Sequence, residues 1–97
     1  MRRVILLLSL ATLSAALLGC GRKATREDCE LIVDRSGEVQ LKAMGVSDAP
    51  TVQKRKEELR GQMKSDIEEC IGKRITDGMM ACVKGAETAE QITKCMR

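Results

Sequence analysis

The chain has 97 residues, with 17 Lys and Arg against 14 Asp and Glu, no histidine and no Phe, Tyr or Trp. That length holds one small domain, whose thin core must be built from Leu, Ile, Val, Met and Cys and needs disulfides, a metal or a partner to hold. The missing histidine removes the commonest general base and metal ligand, and the near balance of charge argues against nucleic acid, which requires a concentrated basic face.

The first stretch is Met1-Arg2-Arg3 followed by Val4 to Leu18, apolar or small apart from Ser9, Thr12 and Ser14. A charged start and an apolar run are the n- and h-regions of an export signal. As a helix, the run would reach only roughly 22 Å, short of the roughly 30 Å of a bilayer's hydrocarbon core. It ends in Leu17-Leu18-Gly19-Cys20. These four residues resemble the lipobox of bacterial lipoproteins, and the resemblance covers residues 1 to 20. It implies that the Cys20 sulfur receives a diacylglyceryl group, that cleavage removes residues 1–19 as a signal peptide, and that the new amine is acylated. Two or three chains suffice for permanent anchoring, since each buried methylene contributes about 0.8 kcal/mol. Gly21 in place of Asp resembles the members sorted to the outer membrane, so the implied location is the periplasmic face of that membrane in a Gram-negative cell. The expected organisation is therefore a leader over 1–19, a lipidated tether over 20–25 and a single domain over 26–97. Within the tether, Arg22 and Lys23, with Arg26 just beyond, are candidates for contact with anionic headgroups, though a solvated linker is the simpler reading.

Five cysteines make an odd count for an exported chain, and lipidation of Cys20 removes the oddity. Cys29, Cys70, Cys82 and Cys95 then form an even set in a compartment that permits disulfides. Their gaps of 41, 12 and 13 residues lack the close pairs of zinc sites and the C-x-x-C of redox motifs. Short loops favour Cys29 with Cys70 and Cys82 with Cys95. The second arrangement is Cys29 with Cys82 and Cys70 with Cys95, and spacing alone leaves both open.

Beyond the tether, Thr25 is placed to cap a first helix, with Glu27 and Asp28 in its opening turn. Cys29, Ile32, Val33 and Ser36 recur at helical spacing, and Val39, Ala43 and Met44 continue the stripe less cleanly. Ser36-Gly37 interrupts it, so either a bent helix over 26–43 or two pieces is expected. Gly45 to Ala49 forms a turn, with Ser47 or Asp48 as cap and Pro50 near the next helix start. From Thr51 a long second helix carries Leu59, Met63, Ile67, Cys70 and Ile71 on one side, with Val52 ahead of them. The charge run Gln53 to Glu58 is neutralised within itself and reads as a solvated face. Gly72 closes this helix and Thr76 caps a third, where Ile75, Met79, Cys82, Val83 and Ala86 share a face. Met79-Met80 suggests thioether copper ligation less than core packing. Gly85 ends that helix, and Thr88 with Gln91 makes a capping box for a fourth, lined inside by Ala89, Ile92, Cys95 and Met96. All four cysteines fall on these apolar stripes. The only strand-like segment, Leu31 to Val33, is too brief to outweigh its helical context.

The run from Cys82-Val83 through Ala86 and Thr88 to Lys94-Cys95 is similar to one in small helical cysteine-containing bacterial lipoproteins of uncharacterised function. It implies no activity. The expected fold is all-α, a helical hairpin with a shorter helical pair folded on it, stapled by two disulfides. The expected role is a lipid-anchored envelope lipoprotein serving as a structural or protein-interaction module. Its partners would be the membrane, through the anchor, and an envelope protein, with neither nucleic acid nor a small-molecule substrate. The alternative is a periplasmic metal- or redox-handling protein using its cysteines. No nucleophile motif or phosphate loop is present, and the carboxylates Asp66, Glu68 and Glu69 are commonplace on a solvated helix, so no enzyme is expected. No cofactor is expected beyond the covalent diacylglyceryl and N-acyl lipid on Cys20.

Overall fold

A computed structural model describes residues 21–97 of the chain; the leader and Cys20 lie outside the described residues. In chain order the elements are β1 (Arg22–Lys23), α1 (Arg26–Ala43), α2 (Ala49–Gln62), α3 (Lys64–Cys70), β2 (Arg74–Ile75), α4 (Asp77–Gly85) and α5 (Ala89–Cys95). Among the described residues the fold is all-α apart from one two-residue antiparallel bridge between β1 and β2. No helix among the described residues is long and apolar enough to cross a membrane.

Helix α1 is the axis of the fold. From Asp28 to Val39 not one of its residues is exposed, and it packs against α2, α3, α4 and α5 alike. Thr25 caps it through a reciprocal pair, its hydroxyl accepting from the Asp28 backbone N–H while the Asp28 carboxylate accepts from the Thr25 N–H. At the other end Gly45, at φ 78°, closes a Schellman turn: its N–H bonds to the Lys42 carbonyl and that of Val46 to the Leu41 carbonyl. Between these ends the helix is a single element, and Gly37 is buried within it rather than marking a break. The reason is close packing. A Cβ built at Gly37 would lie 2.7 Å from Cδ1 of Leu59 on α2. Glycine therefore lets the two helices approach where a side chain would hold them apart.

The long second helix expected from Thr51 is divided. Asp48 caps α2 and Pro50 sits in its first turn, but the helical run stops at Gln62 and resumes at Lys64. Met63, at φ −103° and ψ 23°, serves as C-cap of one helix and N-cap of the next. Hydrogen bonds from Met63 N–H to the Leu59 carbonyl and from Ile67 N–H to the Met63 carbonyl hold the joint on both sides. The separate α3 places Ile67 in the core and Cys70 against Cys29, whereas Ile71, expected on the same stripe, is 37% exposed.

The main core gathers Ala24, Cys29, Val33, Leu59, Ile67, Ile75 and Met80, and a smaller cluster joins Val39, Ala86 and Ile92. Ile75, Val83 and Ala86 are buried as expected, but the buried methionine of α4 is Met80, with Met79 only partly covered. Val83 has no exposure at all, yet its neighbour Cys82 is exposed. Cys82 therefore does not share the inward face, and the expectation that all four cysteines face inward fails there. Thr76 and Thr88 cap α4 and α5 as expected, but the Gln91 side chain accepts from the Glu87 N–H rather than from that of Thr88. The strand-like Leu31 to Val33 is helical, and the strands lie instead at 22–23 and 74–75.

Cys29 is bonded to Cys70 and Cys82 to Cys95, with Cα separations of 6.0 and 5.6 Å. Of the two arrangements open on spacing, the structure has the one with short, consecutive loops. Loop-closure entropy predicts that Cys29→Ala/Cys70→Ala costs about 4 kcal/mol and Cys82→Ala/Cys95→Ala about 3 kcal/mol. Urea unfolding of the two double variants checks both the size and the order. At the helix crossing, Gly37→Val is expected to lower stability by about 1–3 kcal/mol through overpacking against Leu59. A shift in denaturation midpoint at unchanged slope is the readout, and a neutral result would show that Leu59 turns away without cost.

Candidate functional site

Two regions are candidates for a functional site: the end of the molecule that carries the N-terminal segment, and the opposite end of α1. Residues 22–24 belong to the expected tether, but in the structure they are part of the fold. Arg22 and Lys23 pair with Ile75 and Arg74. The Ala24 N–H bonds to the Lys73 carbonyl at 2.7 Å, the Gly72 N–H bonds to the Ala24 carbonyl at 2.8 Å, and Ala24 is buried. Gly21 takes φ 82°, and a Cβ there would stand 2.7 Å from the Ile75 carbonyl oxygen. Backbone geometry therefore demands glycine at this position, independently of any sorting signal.

Arg22 fastens the segment. Its guanidinium grips the Asp28 carboxylate with two hydrogen bonds, at 2.5 and 3.0 Å, and its Nε donates to Asp77 at 2.8 Å. One side chain thus ties the strand to the first turns of both α1 and α4. The Arg22 guanidinium, with the Thr25 backbone N–H, holds the Asp28 carboxyl well below the usual carboxylate range. Partnered in this way, Arg22 is not free for headgroups. Lys23 and Arg26 are exposed, as are Lys73 and Arg74 across the bridge.

The charged residues of α1 and α2, which read as solvated surface, are largely interhelical. Glu30, Asp34 and Glu38 stand four residues apart along α1. Arg60 bonds to Asp34, with its Nε at 2.8 Å, and lies 3.6 Å from Glu30, while Lys56 pairs with Glu38. Lys56 belongs to the charge run at 53–58 and keeps only 22% of its side chain exposed, so that run is not wholly a solvent face. Burial opposes ionisation of Glu38, but Lys56 and Arg35 outweigh it and keep its carboxyl below its ordinary value. Arg35 also donates to the Ala86 carbonyl at the C-terminus of α4, at 3.0 and 2.5 Å, where a cation favours the helix dipole.

At the far end of α1, an open groove of about 650 Å³ runs between Val39, Ala43 and Met44 on one side and Ala89 on the other, with Lys42, Arg55 and Glu87 at its edges. Met44 is 69% exposed, more than any other large apolar residue among those described. Helix α1 is about 27 Å long, so this groove and the N-terminal bridge lie at opposite ends of the axis. All four cysteines of the described residues are in disulfides, which leaves no thiolate there to ligate a metal or attack a substrate. Among the described residues, no three His, Cys, Asp or Glu side chains gather as a metal site would need. Cys20, the expected lipidation site, lies outside the described residues.

The Arg22–Asp28 pair makes stability depend on acid. A depressed carboxyl in the folded state contributes stability above its unfolded value, about pH 4, and loses it as the pH falls further. Acid titration of the unfolding midpoint should therefore fall below about pH 4, and Asp28→Asn should be less stable at neutral pH with a shallower acid dependence. No protein-family model, curated protein or solved structure matches this chain.

Proposed function

We propose that this chain is a lipid-anchored lipoprotein of the bacterial cell envelope, whose disulfide-stapled helical domain serves as an interaction module at the membrane surface. The observation that carries the reading is the pairing of the cysteines. Cys29 with Cys70 and Cys82 with Cys95 account for four of the five, and the fifth, Cys20, stands where the lipobox resemblance puts the acylated residue. Two disulfides in so small a domain also suit an oxidising, extracytoplasmic compartment. The interaction role draws support from the described domain itself, which carries its most exposed large apolar side chain, Met44, at the end of α1 away from the N-terminal bridge.

Intact-mass measurement on the protein extracted from membranes tests the anchor. The expected species begins at residue 20, carries a diacylglyceryl and an N-acyl group on Cys20, and contains both disulfides. A chain retaining residues 1–19, or one cleaved with an unmodified Cys20, would overturn it. For the interaction role, a photoreactive residue in place of Met44 is expected to give one discrete crosslinked species in the envelope. A monomer band alone would count against it.

A further inference from the structure

We propose that the end of the domain carrying β1 and β2 is a second membrane contact, a basic face of Lys23, Arg26, Lys73 and Arg74 that docks on anionic phospholipid headgroups. The proposal rests on the lipid-anchor reading of Cys20, and its test keeps the two apart.

The face is made by strand register. Arg22 stands opposite Ile75 and Lys23 opposite Arg74, and directly opposed residues of an antiparallel pair project to the same side. Ile75 is 3% exposed and Arg22 is turned onto Asp28 and Asp77, so that side faces the protein. Lys23 and Arg74 therefore share the outer side, and both are exposed. Lys73, beyond the end of the ladder and next to Arg74, and Arg26, the first residue of α1, are also exposed and add two cations at this end of the domain.

Within this group the charge is uncompensated. None of the four cations makes an ion pair among the described residues, and residues 1–20 contain no Asp or Glu. Glu27 and Glu69 are near in sequence but pair with none of them. Like charges placed directly across a ladder work against the strands. The bridge holds nonetheless, because Arg22 and the Ala24 backbone bonds fasten it from the other side. The result is a fixed pair of cations open to an anion, and guanidinium and ammonium groups both suit phosphodiester oxygens.

Chain length selects the headgroup as that anion. Three residue steps separate Cys20 from Lys23, a reach of at most about 11 Å. With the Cys20 sulfur at the bilayer surface, that reach is little more than the Debye length of about 8 Å at physiological salt, and Arg74 stands directly across the ladder from Lys23. Docking is then an intramolecular event at high effective concentration, an advantage that no soluble polyanion shares.

The test uses the lipidated protein on phosphatidylcholine vesicles with and without phosphatidylglycerol. Flotation with the neutral vesicles reads the anchor alone. Labelling by a water-soluble amine acylating reagent reads the face, with Lys54 and Lys94, both exposed and distant in sequence, as internal references. Phosphatidylglycerol is expected to slow labelling of Lys23 and Lys73 by at least about fivefold relative to the references. High salt should abolish that protection in the unaltered protein, and Arg26→Glu with Arg74→Glu should reduce it. Equal labelling on the two vesicle types, in protein that floats with both, overturns the docking and leaves the anchor standing. Failure to float with neutral vesicles removes the anchor, and the proposed docking falls with it.

Discussion

A core without aromatic rings has to fill its volume by bringing backbones together, and in this protein that requirement is met at Gly37. Leu59 of α2 reaches the space a side chain would occupy on α1, and from that crossing the remaining contacts follow. Val33 and Cys29 lie one and two turns earlier on the same row of α1 and receive α3, with Ile67 and Cys70. Val39, on another side of the helix, receives Ala86 and Ile92. Small and branched side chains suffice because α1 is enclosed along most of its length, so that each contributes contact from several directions.

Polar groups set the register of this packing. Glu30, Asp34 and Glu38 on α1 meet Arg60 and Lys56 on α2 in an antiparallel order, and a slide of one turn toward the C-terminus of α1 would set Lys56 against Lys42. Exposed ion pairs contribute little to stability singly, but this ladder disfavours that slide, which a core of similar aliphatic side chains would tolerate. Arg35 acts in a similar way on α4, since its two bonds to the Ala86 carbonyl fix where that helix ends against α1.

Local signals were legible in the sequence, because the groups involved lie within a few residues of one another. Thr25, Asp48, Thr76 and Thr88 all cap helices where their side chains could be read to do so. The all-α class was also readable, and short loops favoured the disulfide pairing found without deciding it. Contacts between distant segments were not readable. Nothing periodic marks a two-residue strand, so the pairing of Arg22–Lys23 with Arg74–Ile75, and the basic face it assembles, emerges only in three dimensions. Lys23 and Arg26 could be noted as membrane-proximal, but Lys73 and Arg74 had no reason to be placed beside them. The division at Met63 escaped because the one local warning, Gly61, costs a helix only about 1 kcal/mol, which packing can absorb. Met79 and Met80 fit a stripe almost equally, and packing chose the second.

The two disulfide loops are consecutive rather than interleaved, one enclosing α1 to α3 and the other joining α4 to α5. The short stretch between them contains β2, the strand that receives β1. A pulling force entering at the N-terminal end would therefore load the β1–β2 bridge and the Arg22 clamp before it reached either covalent loop. Once these yielded, the force would pass into α1 at Cys29, where the bond to Cys70 shields α1 to α3 from extension. The α4–α5 pair, closed by its own cross-link, is reached along the chain only through residues 71–76, which carry β2. The bridge is in this sense a mechanical fuse, set between the start of the chain and the part of the fold that bears the helical core.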